Sequence, residues 1–341
     1  RKAQQAKRVR NHYRGLSRDW TRLTGLLKRA RDVQDLLKPA TTLVMLEMPQ
    51  PRQTRIFERG DFLAPGETVG PGTPAAWPPV PVSTDRPLNR LDLARWLVHP
   101  DHPLTSRVDV NRICEHLFGQ GLVPTSEDFG TRGEKPSHPE LLDWLASEFI
   151  RRGWSRKEMV RLIVGSATYR QASRVRPELA DLDPKNSLLA RQGRFRVESE
   201  ITRDLYLSVG GLLNSRIGGP SVRPPLPSDI TNLGYANSVK WAVSSGPDKY
   251  RRGLYIFFQR TVPYPMLMTF DSPDANTSCI RRTRSNTPLQ ALVLLNDPQY
   301  IEAARNLAQK VALEAGDSLA ARIVLAHRLA TAHRPSFKTL N

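Results

Sequence analysis

After Pro139 the apolar residues Leu141, Leu142, Trp144, Leu145, Phe149 and Ile150 recur at three-and-four spacing, the signature of one broad helical face. Ser137-His138-Pro139-Glu140 in front of them has the form of a capping box, with proline tolerated in the first turn. Gly153 breaks the pattern, Ser155 with Glu158 repeats the box, and Met159, Leu162, Ile163 and Tyr169 mark the buried side of a second helix. The spacing predicts a helical hairpin turning at Arg152 to Trp154.

Residues 1–38 carry a different seam. Val9, Tyr13, Leu16, Trp20, Leu23, Leu27 and Ala30 alternate four-and-three, which predicts one amphipathic helix that Pro39 stops. Short strands are expected at Thr41 to Leu46 and Thr54 to Phe57, followed by an irregular connector from Pro65 to Pro87. Further helices are expected from Arg90 to Val98, Thr105 to Phe118 and Glu198 to Leu213. Between Gly218 and Pro273 the chain turns to Pro, Gly, Ser and aromatic residues, with Leu254 to Phe258 as its clearest strand candidate. Thr287-Pro288-Leu289-Gln290 caps a helix to Leu295, Asp297-Pro298 opens another to about Leu313, and Ser318 to Ala332 supplies the last. The expected fold is mainly α: a helical body with a small β-sheet and long Pro/Gly-rich irregular loops. The expected divisions are 1–38, 39–89 and 90–341, with one mostly helical domain from Leu91 to Ala332.

Charge changes this picture most at the N-terminus. The chain has 51 Lys and Arg against 33 Asp and Glu, a formal +18, and residues 1–38 hold twelve of the basic residues against three Asp, which puts half of the excess there. No apolar run approaches the ~18 residues of a membrane-spanning helix. Because the chain starts at Arg1 with no Met or signal peptide, it is expected to be a piece of a longer protein. Arg151, Arg152, Arg156, Lys157 and Arg161 around the hairpin invite a helix-turn-helix reading, but paired helices with solvated cations are far commoner as packing units.

No stretch reads as an active site on chemical grounds. Gly-rich phosphate loops, nucleophile elbows and His-Glu-x-x-His are absent, and without Cys-x-x-Cys-His the chain has no attachment motif for a covalent haem of its own. The best candidate ligand site combines Arg260, Asp271, Asp274, Arg281 and Arg282 in the loop from Gly218 to Arg284. Carboxylates there supply hard oxygen ligands, and guanidinium forks match sulfate, phosphate or carboxylate. The competing reading is an Asp-Arg network that pins an irregular loop. Cys279 is expected to be buried behind this set as packing, and Cys114 and Cys279, 165 positions apart, are expected to be two free buried thiols rather than a disulfide. His116 and His138 are the weak candidates for a metal, with the helix-capping role preferred for His138. Arg59-Gly60-Asp61 reads as a turn and not as an adhesion tripeptide.

Many phrases, in order, resemble a known family. They include Arg59-Gly60-Asp61, Ala94-Arg95-Trp96-Leu97, Val110-Asn111-Arg112-Ile113, Gly121-Leu122-Val123, Asp128-Phe129-Gly130 and His138-Pro139-Glu140-Leu141-Leu142-Asp143-Trp144. Tyr169-Arg170-Gln171, Arg203-Asp204, Gly218-Gly219-Pro220, Phe270-Asp271, Ser278-Cys279 and Thr287-Pro288-Leu289-Gln290-Ala291-Leu292 follow. Together they resemble the C-terminal domain of planctomycete-type cytochrome-associated proteins, the family called domain of unknown function 1553, over roughly residues 40 to 330. Cys114 stands where that family usually has Trp, which weighs against a redox or ligand role for it.

The resemblance implies an exported, extracytoplasmic, multidomain parent with a companion domain upstream and c-type haem further upstream, and it carries no activity. Residues 1–38 then become the end of a missing upstream domain on which the helix packs. Three readings follow: an interaction or accessory module that binds acidic polysaccharide, supported by association of such proteins with sulfatases; part of a redox or hydrolytic enzyme with its site at the junction with the upstream domain; and nucleic-acid binding through charge, which export disfavours.

Overall fold

The computed structural model describes residues 2–37, 41–80, 86–179, 181–226, 241–260 and 262–336. Eleven α-helices and a single two-stranded sheet form the regular structure among them, so the fold is mainly α. The chain divides into two compact units, one of Arg1–Pro74 with Pro79–Leu93, the other of Ala75–Pro78 with Ala94–Asn341.

In the first unit the expected single N-terminal helix is two, α1 (Lys2–Leu16) and α2 (Arg18–Leu36). Ser17 interrupts them because its backbone is extended and its hydroxyl accepts the Trp20 amide at 3.2 Å, capping α2. The apolar seam is uncovered: Val9, Tyr13, Leu16, Trp20, Leu23 and Leu27 are all exposed. Pro39 lies outside the described residues. Thr41 to Leu46 forms no strand and is exposed, since no neighbouring segment pairs with it among the described residues. β1 (Thr54–Phe57) instead pairs antiparallel with β2 (Pro65–Val69), Thr54 opposite Val69, so the start of the expected connector is a strand. Pairing decided this where composition pointed to a loop. Arg59-Gly60-Asp61 makes the hairpin turn: Gly60 has φ 78°, and Asp61 accepts the Leu63 amide at 2.9 Å. Arg86 grips Asp92 through two bonds of 2.6 and 2.8 Å.

The second unit holds Trp96 from the last turn of α3 (Arg90–Leu97); its indole donates to the Pro78 carbonyl at 2.7 Å and meets His102 edge-on at 4.5 Å. The hairpin is α5 (Pro139–Arg151) and α6 (Arg156–Val164), packed on α4 (Thr105–Phe118) around Val110, Ile113, Cys114, Leu142, Leu145, Phe149, Met159 and Ile163. Leu142, Leu145, Ala146 and Phe149 form the buried stripe, whereas Trp144, expected inside, is 52 % exposed. The expected box at Ser137 does not form. Ser137 donates to the Leu122 carbonyl at 3.3 Å instead, and His138 occupies the cap position with no side-chain cap bond. Ser155 does cap α6, while Glu158 turns to Arg161 and Arg152.

The hairpin arginines are engaged locally. Arg151 and Arg152 bracket Glu148 at 2.6 Å and hold its carboxyl down to about 2, and Arg156 pairs with Asp109 at 2.8 Å. Buried Asn111 joins α4 to the next loop: it receives the Val123 amide at 2.8 Å and donates to the Val123 carbonyl at 3.1 Å. A Cβ on Gly121 would stand 2.6 Å from that side-chain amide, so Asn111 and Gly121 require one another.

α7 (Ser199–Val209), α8 (Pro265–Thr269), α9 (Pro288–Asn296), α10 (Pro298–Glu314) and α11 (Leu319–Thr331) complete the unit around Trp241, Ile256, Tyr264, Met266, Leu267, Phe270 and Tyr300. Leu254 to Phe258 is not a strand. Gly253–Tyr255 is a 3-10 turn, because the Gly253 amide is taken by the Asp204 carboxylate at 2.6 Å, and only Ile256 makes an isolated bridge, to Val222. No helix among the described residues is long and apolar enough to cross a membrane.

Candidate functional site

The proposed acidic and basic loop residues are not brought to one point. Asp271 follows α8 with φ 64°, and its carboxylate accepts the Ser285 amide at 2.7 Å, the Ser285 hydroxyl at 2.8 Å and the Gln290 side chain at 3.4 Å. It thus ties the start of the loop to the start of α9. Thr287 and Gln290 form the full capping box there, and Gln290, almost wholly buried, also donates to the Thr269 carbonyl at 2.9 Å. Arg196 donates to Gln290 and to Asn286, the latter at 2.7 Å, with its guanidinium over the Phe270 ring.

Asp274 is exposed and folds onto its own turn, accepting the Asn276 amide at 3.0 Å. Arg282 is half-buried against Glu200 at 2.7 Å and Glu198 at 3.2 Å; its guanidinium holds the Glu200 carboxyl below the usual range although burial opposes it. Arg281 reaches the Pro124 carbonyl at 3.4 Å, and Arg260 is exposed. Cys279 is exposed rather than buried, its thiol 3.4 Å from the Arg281 carbonyl, because the turn at Asp274 carries 274–281 along the surface. Cys114 is the buried thiol, and burial pushes it up to about 12. His116 is exposed, 3.6 Å from Glu198, and His138 meets Ser137 at 3.0 Å. Among the described residues no three His, Cys, Asp or Glu converge on a metal position.

Two buried arginines outside the candidate set organise the same region. Arg251, 1 % exposed, donates to the carbonyls of Arg216, Gly218 and Pro220, and its guanidinium lies 3.8 Å from the centre of the Tyr255 ring. Gly218-Gly219-Pro220 therefore wraps a guanidinium, with Gly219 at φ 87°. Arg203 on α7, 2 % exposed, donates to the carbonyls of Arg251 at 2.6 Å and Lys249 at 2.9 Å and to the Gln299 side chain at 3.2 Å. Its neighbour Asp204 holds Gly253 and, at 2.8 Å, Arg252. Arg203-Asp204 thus pins residues 249–253 from two adjacent positions on one helix. The pairing of these phrases was the available signal.

Beside Arg203 lies a cleft of about 480 Å³ formed by Tyr264, Met266 and Thr269 on one side and Leu292, Val293 and Asn296 of α9 on the other. An inner chamber of about 10 Å³ adjoins it, sharing Tyr264, Met266 and Asp297 and adding Arg203, Gln299 and Tyr300. The Arg203 Nε and the Tyr300 hydroxyl are buried there without a hydrogen-bond partner among the described residues. Burial pushes the Tyr264 and Tyr300 phenols up, so both are protonated near neutral pH, and burial also raises the Asp297 carboxyl.

The chain belongs to the PSD1 family, described as proteins of unknown function (DUF1553), whose model matches residues 89–341. No curated protein and no solved structure matches the chain.

Proposed function

We propose that this chain is a non-catalytic accessory module of an exported, planctomycete-type multidomain protein, and that it binds acidic polysaccharide through its basic surface. The observation that carries the reading is α1 and α2: Lys7, Arg8, Arg10, Arg14, Arg18, Arg22, Lys28, Arg29 and Arg31 are all exposed along two consecutive helices. Guanidinium forks match sulfate and carboxylate bidentately. Each exposed pair contributes only about 0–1 kcal/mol, so binding requires many contacts along a polyanion and weakens with salt. The uncovered apolar seam of the same helices serves a protein neighbour, which we assign to the upstream domain of the parent, where the c-type haem also belongs. Asp271 is committed to Ser285 and Gln290, which favours a structural role for it over a catalytic one.

Retention on immobilised heparin tests the reading. The expected result is elution well above physiological salt, with stronger retention than on a sulfonate exchanger of equal charge density. Elution near physiological salt contradicts it. Competition by duplex DNA at equal charge concentration that matches heparin would favour the nucleic-acid alternative.

A further inference from the structure

The cleft beside α9 and its inner chamber combine features that the polyanion reading does not use. Apolar walls from Leu292, Val293 and Met266 face an interior where one donor, the Arg203 Nε–H, and one hydroxyl, that of Tyr300, have no partner among the described residues. Arg203 and Tyr300 are 2 % and 4 % exposed, so these groups are cut off from bulk solvent. Leaving such groups unpaired is costly, and their position next to a cleft of ligand-pocket size indicates what would satisfy them.

The chamber sets the size of the polar group. About 10 Å³ admits one oxygen atom and no more. Its charge follows from the walls: Arg203 supplies a cation, while Asp297 lines both chamber and cleft and caps α10 through the Gln299 amide at 2.8 Å. An anionic head would meet the Asp297 carboxylate, and a cationic head would meet Arg203. A neutral oxygen accepts from Arg203 and exchanges a hydrogen bond with Tyr300 without facing either charge of its own sign.

We propose that the cleft and chamber form a binding site for an uncharged, largely apolar small molecule bearing one hydroxyl or carbonyl oxygen, with the oxygen in the chamber between Arg203 and Tyr300 and the apolar body against Leu292, Val293 and Met266. The site is built from residues other than the cations of α1 and α2, and its failure would leave the polysaccharide reading untouched.

Benzyl alcohol, toluene and benzoate serve as probes, measured by ligand-observed NMR on the full chain. Benzyl alcohol is expected to bind about fivefold or more tightly than either of the others, the factor one hydrogen bond supplies. Tyr300→Phe removes an unpaired hydroxyl, so it should fold as well as the parent while reducing the alcohol-to-toluene preference toward one. Leu292→Trp, at an exposed rim position, should block all binding and covers the case in which Tyr300→Phe fails to fold. Equal affinity for toluene and benzyl alcohol, preference for benzoate, an unchanged preference in Tyr300→Phe, unchanged binding in Leu292→Trp, or no binding of any probe overturns the proposal.

Discussion

The Arg203 guanidinium donates to the main-chain oxygen of Arg251 at 2.6 Å, so two almost wholly buried arginines stand in series, each held by backbone carbonyls in place of a carboxylate. Burial pulls the Arg203 guanidinium down from its ordinary value, yet five carbonyls, those of Arg216, Gly218, Pro220, Lys249 and Arg251, depend on the two side chains. The two side chains thereby satisfy main-chain carbonyls of 216–220 and 249–251 that no helix or strand among the described residues pairs.

Arg251→Met should therefore destabilise by about 3 kcal/mol, because it removes three hydrogen bonds from one buried guanidinium, those to the carbonyls of Arg216, Gly218 and Pro220. Arg251→Lys should recover only part of the loss, since an ammonium lacks the planar fork and the stacking on Tyr255. Urea denaturation measures both, and wild-type stability in Arg251→Met would remove the organising role.

Asp271→Asn keeps one acceptor for the Ser285 amide and loses the charge, so a cost of about 1–2 kcal/mol is expected with heparin retention unchanged. Thermal unfolding and column retention separate the outcomes. Lost retention at an unchanged melting temperature would return Asp271 to the ligand-binding set.

His102 caps α4 as an acceptor: its Nδ1 lies 3.3 Å from the Leu104 amide and 3.2 Å from that of Thr105, and desolvation lowers its pKa below the ordinary 6.5. The unfolded chain therefore binds the proton more readily than the folded one. Stability from this site is complete above about pH 6.5 and is lost as pH falls through the lower folded value. An NMR titration of the His102 ring should give a midpoint below 6.5; a midpoint above it contradicts the capping geometry.

The two thiols should differ in reactivity. Cys279 is exposed, whereas Cys114 is buried with its pKa near 12, so a thiol reagent should modify one thiol in the native state and two after unfolding. Rapid modification of both in the native protein would show that the core around α4 opens.

Where local chemistry closes on itself, the sequence was sufficient. Thr287 with Gln290, Asp297, Ser155 and Ser318 each cap the helix expected of them, since donor and acceptor lie within one turn. Ser137 has the same local form and does otherwise, because the Leu122 carbonyl, fifteen residues away, takes its hydroxyl. Leu254 to Phe258 looked like a strand because apolar runs do, and the deciding bond comes from Asp204 on α7. The partners of the candidate site residues were not legible. Asp271 does anchor its loop, but to Ser285 and Gln290, and the buried arginines are not legible in the sequence because bonds to main-chain carbonyls carry no residue-type signal and arginine is seldom buried.

Polyanion binding by the exposed cations of α1 and α2 is tested most directly by the dependence of heparin affinity on salt. Binding by counterion release makes log affinity fall linearly with log salt, with a slope set by the number of charges engaged. Replacing Arg8, Arg10, Arg14 and Arg22 by Gln should reduce that slope by about three to four and weaken binding at low salt, with helicity by circular dichroism unchanged. An unchanged slope and affinity in the four-residue variant would contradict the assignment of polyanion binding to these helices.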